Sequence, residues 1–188
     1  MIQEKELAYL AGIIDGEGSI DIRSLPPGKH RRNGSYSSLL CISNTNTLIL
    51  DECVRIMREC EIPHYISKSK VNGNRKQSYQ IICAGPNRCF RCLWVIEPYL
   101  VGKKSQANLT MEFVWSRIGH TDKYHTPYTE RELYIVQAIR QLNKKGPIIL
   151  NEHTLDAVKK SAKMCSELRG NPTEVSEMFT RLQQKVKK

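Results

Sequence analysis

A helix that runs straight into a glycine-bracketed acidic turn sets the start of this chain. Between residues 3 and 15, Leu7, Leu10, Ala11 and Ile14 recur at helical spacing, and Gly16 and Gly18 stop the helix. Ala8, Ala11 and Gly12 stand at i, i+3 and i+4, a stripe small enough for a second helix to approach almost backbone to backbone. Asp15 and Glu17 follow at the helix C-terminus, where the helix dipole is already negative and a carboxylate costs roughly 0.3 to 1 kcal/mol. Local physics alone allows them to be solvated turn residues. The other reading is a divalent cation: magnesium is a hard ion bound by carboxylate and phosphate oxygens, and it would turn the repulsive pair into a binding site.

Downstream the periodicity changes. Residues 19 to 24 alternate Ile20 and Ile22 with Asp21 and Arg23, a Pro-Pro-Gly and basic loop follows, and residues 35 to 43 are extended again, which makes a hairpin with a long basic tip. Residues 48 to 61 are helical through Leu50, Val54 and Met57, with Asn46 or Thr47 as N-cap and Pro63 beyond the end. The pattern then repeats: residues 65 to 71 and 77 to 84 alternate about Asn72-Gly73-Asn74, and residues 86 to 96 form an apolar helix. The predicted order is αββαββα, an α+β core. Helices are expected at 106–117, 129–143, 155–168 and 173–186, so the chain reads as a core domain over 1–120 with a helical extension over 121–188 packed on it.

A net charge of +10 costs self-repulsion and is usually kept for an anionic partner, nucleic acid first. It is unevenly spread: residues 64 to 120 hold 9 Lys/Arg against 2 Asp/Glu, whereas residues 1 to 63 hold 7 against 9. Seven irregularly spaced cysteines do not make the disulfide framework of a secreted domain. No run approaches the roughly 18 apolar residues of a membrane helix, and acids flank Lys5 where a signal peptide would be basic. The expectation is a soluble intracellular protein of cytoplasm, nucleoid or organelle.

The run Leu10-Ala11-Gly12-Ile13-Ile14-Asp15-Gly16-Glu17-Gly18 resembles the signature of the LAGLIDADG homing endonucleases, with Ile for Leu at 13, Gly for Ala at 16 and Glu for Asp at 17. The predicted αββαββα order is also that family's core. The resemblance implies a metal-dependent DNA double-strand cutter that leaves 3′ overhangs, with Glu17, beside Gly16, binding the catalytic Mg2+ next to the scissile phosphate. Asp15 takes a structural role, and Ala8, Ala11, Gly12 and Asp15 form the contact between motif helices. Only one copy of the run is present, since neither the stretch around Trp94 nor that around Tyr134 ends in an acid and glycine pair. The second motif helix is therefore expected from a second chain, as a homodimer on a pseudo-palindromic site. Two more positions match the family pattern. Asn44 falls where a polar residue orients water at the metal, though it also suits a helix cap. Lys103, in Tyr99-Leu100-Val101-Gly102-Lys103-Lys104-Ser105-Gln106-Ala107-Asn108, resembles the active-site lysine, with Lys104 as the alternative.

Two antiparallel hairpins would join into a twisted four-stranded sheet with one face toward double-stranded DNA, because a strand ribbon fits the major groove. With Ile20, Ile22, Ile66 and Ile81 packed beneath the helices, the DNA-facing candidates are Asp21, Arg23, Lys29, Arg31, Arg32, Tyr36 and Ser38 on the first hairpin. On the second they are Ser67 or Lys68, with Lys68 taken as the candidate, and Lys70, Arg75, Lys76 and Gln77. Cys89 and Cys92 form a CxxC with no second pair at zinc-finger spacing, and no HxxxH or HNH-like pattern is present, so a zinc site or a histidine-metal nuclease is not expected. Phe90, Leu93 and Trp94 read as core, and the Lys185–Lys188 tail as solvated. The rival readings are an intron RNA maturase, in which case RNA is also a partner, a cleavage-inactive DNA-binding regulator, and a basic ribosome-associated or packaging protein.

Overall fold

The computed structural model describes residues 2–28, 34–69, 73–74, 76–118, 126–144 and 151–184, with 181–184 as backbone only. Helix α1 (Glu4–Glu17) leads into β1 (Gly18–Leu25) and β2 (Ser35–Asn44); α2 (Thr47–Glu59) is followed by β3 (Tyr65–Lys68), β4 (Tyr79–Ala84) and α3 (Pro86–Ile96). A 3-10 turn at Glu97–Tyr99 precedes α4 (Lys104–Ile118), α5 (Glu130–Leu142), α6 (Glu152–Arg169) and α7 (Pro172–Gln184). The αββαββα order is thus present, and the helices after it fall where periodicity placed them. The sheet runs β1-β2-β4-β3, with β4 antiparallel to both β2 and β3.

Local chemistry explains the element borders. The Asn46 side chain accepts the Leu48 N–H at 3.1 Å and so caps α2. A Thr129–Glu132 capping box opens α5, and Asn151 accepts from Thr154 N–H at 2.8 Å to open α6. At the end of α1, a Cβ on Gly18 would lie 2.6 Å from the Ile14 carbonyl oxygen, so only glycine lets the chain leave the helix this tightly.

The chain divides into two compact units, interleaved along the sequence: Met1–Ile20 with Ser38–Lys104, and Asp21–Ser37 with Ser105–Lys188. In the first unit α1 packs on α2 and α3, and α2 and α3 pack on β4, burying Leu10, Ile14, Ile42, Ile56, Ile81 and Phe90 completely. Arg55 of α2 joins the helices by donating to Glu6 of α1 as well as to Glu52 and Glu59. In the second unit α5 packs on α6 and α6 on α7. A half-buried ion pair reinforces it: Arg131 Nε and Nη2 each lie 2.8 Å from a carboxylate oxygen of Glu112, which also accepts from Ser161 Oγ. The border expected at residue 120 falls among residues 119–125, outside the described residues. No helix among the described residues is long and apolar enough to cross a membrane.

One core assignment is corrected. Ile66 pairs with the fully buried Ile81, yet it is 54% exposed, because β3 is a four-residue edge strand while α2 and α3 pack on β4.

Candidate catalytic and nucleic-acid-binding site

The acidic turn is built by partnering one of its carboxylates and leaving the other outside. Asp15 Oδ2 accepts the backbone N–H groups of Val101 (2.8 Å) and Gly102 (3.1 Å), and Oδ1 accepts that of Lys103 (2.8 Å). These donors belong to the turn before α4, where a helix start leaves N–H groups without carbonyl partners; Asp15 serves as a cap delivered from a distant helix. The Lys103 ammonium folds back to donate to the main-chain oxygen of Asp15. Partial burial opposes the charge on Asp15, but the three N–H donors and the nearby Lys103 cation outweigh it and hold the carboxyl below the usual carboxylate range.

Glu17, the last residue of α1, is exposed, and its carboxylate makes no hydrogen bond or ion pair with the described residues. The two lysines diverge. Lys103 is half-buried against the motif, whereas Lys104 Nζ lies 3.7 Å from the buried Glu97 carboxylate. The structure therefore brings Lys103, not Lys104, to the acidic turn. Asn44 sits at the end of β2 with its Oδ1 accepting the Asn46 N–H at 2.9 Å, and the cap of α2 is Asn46. Gly16 is exposed, and a Cβ added there would meet nothing within 4 Å.

Cross-strand register settles which side chains share a face, because directly paired residues point the same way. Ile42, Ile81 and Ile66 form one row, and the next row on that face is Asn44, Tyr79 and Lys68. Ser43, Gln80 and Ser67 form a row on the opposite face. On β1, Ile20 and Ile22 are buried while Asp21 and Arg23 turn the other way, 3.9 Å apart as an ion pair with Arg23 largely exposed.

Three DNA-facing candidates are corrected by this register. Lys68 shares the helix-side face with Ile81, and Ser67 takes the open one. Tyr36 and Ser38 share the parity of Leu40 and Ile42, and Ser38 is only 2% exposed. Sequence reasoning passed over Ser43 and Gln80 because Leu39-Leu40-Cys41-Ile42 is continuously apolar and buried, as central strands are, and gives no alternation to count from. Gln77 braces the mouth of the second hairpin, its Nε2 donating to the Ser69 and Ser78 carbonyls at 2.8 and 2.7 Å, and Lys76 is exposed beside it. Lys29, Arg31, Arg32, Lys70, Arg75 and the Lys185–Lys188 tail lie outside the described residues.

The small stripe of α1 is corrected in one member: Ala11 is fully buried in its own unit, and the outward face carries Ala8, Tyr9, Gly12 and Gly16. Cys89 and Cys92 are fully buried on α3. Burial pushes the Cys89 thiol well up, and for Cys92 a hydrogen bond with Cys83, then burial, does the same.

The family model described as a LAGLIDADG-like domain matches residues 4–90, the stretch from the start of α1 into α3. Residues 4–90 thus carry the LAGLIDADG-like domain. Its motif is Leu10–Gly18, and solved structures carry the same fold. The homing endonuclease I-CvuI, in complex with its target in the presence of 2 mM Ca, superposes with a TM-score of 0.57 at 19% identity over 84% of this chain and 95% of that one. The archaeal intron-encoded homing endonuclease I-Vdi141I, complexed with DNA, gives 0.57 at 16% identity over 85% and 98%. I-SmaMI, a LAGLIDADG homing endonuclease bound to cleaved DNA, gives 0.54 at 16% identity, covering 82% of this chain and 48% of that one. At these identities the likeness is one of fold. None of the curated proteins matches the chain by sequence.

Proposed function

We propose that the protein is a site-specific homing endonuclease that binds a long pseudo-palindromic DNA site as a homodimer and uses Mg2+ to hydrolyse one phosphodiester in each strand, leaving 3′ overhangs. The observation that carries this reading is the separation of the two motif acids. Asp15 is engaged by three N–H donors, and Glu17 is left exposed and unengaged two residues on, with Lys103 folded back onto the same turn.

Among the described residues no group of three His, Cys, Asp or Glu side chains stands together to hold a metal. The donor set nevertheless fits magnesium, which keeps several waters and is commonly held by one or two carboxylates together with substrate phosphates. Glu17 would hold it, with the Gly16 main chain beside it and a second Glu17 arriving on the other subunit. The ion would supply positive charge at the reacting phosphate. Lys103 adds a cation at the same turn, Asp15 fixes where that lysine starts, and Asn44 offers its side-chain amide to water. A removed charge-stabilising group of this kind costs about 10²–10³ in rate. The homodimer is supported by coverage: the chain spans 95% of I-CvuI but 48% of I-SmaMI, so it supplies one half of the longer fold.

The test is a supercoiled plasmid library carrying candidate sites, incubated with protein and Mg2+. Linear product that is lost with EDTA and with Glu17→Gln, while Glu17→Gln still binds and melts as the parent does, is the expected result. Tight binding without cutting by the parent protein would replace the nuclease by the maturase or regulator reading, and RNA binding assays separate those two.

A further inference from the structure

We infer that the helical second unit has a specific task in target reading: through Tyr128 it fixes the first residues of β2, Ser35 to Ser37, and so sets discrimination at the outer positions of the DNA site. This rests on the proposed reading of the protein as a sequence-specific DNA enzyme.

Strands β2 and β4 differ in length. Strand β2 has ten residues and β4 six, and their pairing begins with Leu39 opposite Ala84, so Ser35, Tyr36 and Ser37 run on past the end of β4. A strand edge without a neighbour leaves N–H groups to be satisfied. The Tyr128 hydroxyl does this for Tyr36, accepting its N–H at 2.8 Å. The two rings also meet edge to face, with centroids 4.9 Å apart.

Tyr128 is itself held on several sides. Phe113 of α4 stacks on it at 6.2 Å and 15°, and the Arg117 guanidinium sits 4.6 Å above its ring. From α5, Arg140 lies 6.0 Å over the ring of Tyr36. The grouping of Asp21–Ser37 with Ser105–Lys188 in one compact unit reflects this attachment.

The grip is on the back of the strand. Tyr36 has helix-side parity, whereas its neighbours Ser35 and Ser37 alternate to the face that carries Ser43, and on β1 Asp21 and Arg23 turn away from the core. A well-placed base contact discriminates by about 1–3 kcal/mol, and only while donor and acceptor are held in register. An arm that swings would retain phosphate attraction and lose that difference. Tyr128 is therefore a positioning residue, acting through Tyr36.

Cleaved sites are selected from a randomised DNA library with the parent protein, Tyr128→Phe and Arg140→Gln, and the Tyr36 amide is followed by hydrogen exchange. Tyr128→Phe removes only the hydroxyl, so folding and the cleavage rate on the best site are expected to hold. Discrimination at the outer positions should fall by about tenfold, with central preferences intact and the Tyr36 amide exchanging faster; Arg140→Gln should act in the same direction more weakly. Identical selection profiles for parent and Tyr128→Phe, or unchanged exchange at Tyr36, would overturn the inference. A parent protein that selects no sequence at all would instead remove the nuclease reading, and this inference with it.

Discussion

Asp15 and Glu17 are chemically alike and two residues apart, yet the turn gives them different work. Because folding lowers the Asp15 pKa, its carboxylate contributes stability above the unfolded value of 3.8, and that contribution fades as pH falls through the lower folded value. Asp15→Asn should therefore destabilise the protein by about 1.5–3 kcal/mol at neutral pH, the range for hydrogen bonds to a charged group. Urea unfolding at pH 7 and pH 3 checks this: the deficit should shrink at the acid end, and an equal deficit at both pH values would show that the charge is not what holds the turn. Cleavage should drop as well, since an amide keeps only one of the two oxygens that accept the Val101, Gly102 and Lys103 N–H groups and no longer fixes the turn that carries Lys103. Part of this was legible in the sequence. The family resemblance marked Glu17, offered Lys103 with Lys104 as the alternative and gave Asp15 a structural role, but the partners of Asp15 lie some 86–88 residues downstream, where no local pattern points to them.

At the scale of elements, helix borders follow caps and glycines, which are local, and these were readable. Gly18→Ala would drive a methyl to within 2.6 Å of the Ile14 carbonyl oxygen, so α1 or β1 must shift. The expected cost is about 1–3 kcal/mol, as for other overpacking substitutions, and at about 2–4 °C per kcal/mol for a chain of this size a lowered melting temperature in calorimetry reads it. Strand faces were less accessible. Period-2 alternation on β1 put Asp21 and Arg23 on the open side, but the register of β4 against its neighbours moved Lys68 to the helix side and brought Gln80 out. Gln80→Ala should thus relax base preference on a selected target by about 1–3 kcal/mol at one position. Lys68→Ala should leave base preference alone, its only effect being a slightly shallower salt dependence of binding. A competition binding series against single-base variants tells the two apart, and a base-preference change in Lys68→Ala would refute the face assignment.

For the whole molecule, the proposed homodimer makes assembly through the outward stripe of α1 the property to test. Gly12 is exposed, and a side chain added there meets nothing within 4 Å of its own chain. Valine is also a better helix former than glycine. Gly12→Val should therefore retain its helical circular dichroism but sediment as a monomer, and it should lose double-strand cleavage because two Glu17 carboxylates no longer meet. Ala11→Val is the control: it crowds a fully buried position and should destabilise the fold. A Gly12→Val protein that remains dimeric would place the interface elsewhere. With a charge of +10, DNA affinity is expected to fall steeply with salt in either case, so the oligomer assay and not the salt slope carries the distinction.

The sequence by itself determined the order of helices and strands, the motif and its two acids, the lysine that matches the family pattern and the excess of positive charge. All of these depend on contacts within a few residues or on total charge. Only the tertiary structure decided that Asp15 caps the turn before α4, that Lys103 and not Lys104 reaches the motif, that Ala11 belongs to the core, and that Tyr128 holds the first hairpin. Those depend on which distant segments meet and in what register. A one-residue slip in that register exchanges every inward side chain for its neighbour, and no local pattern can prevent the slip.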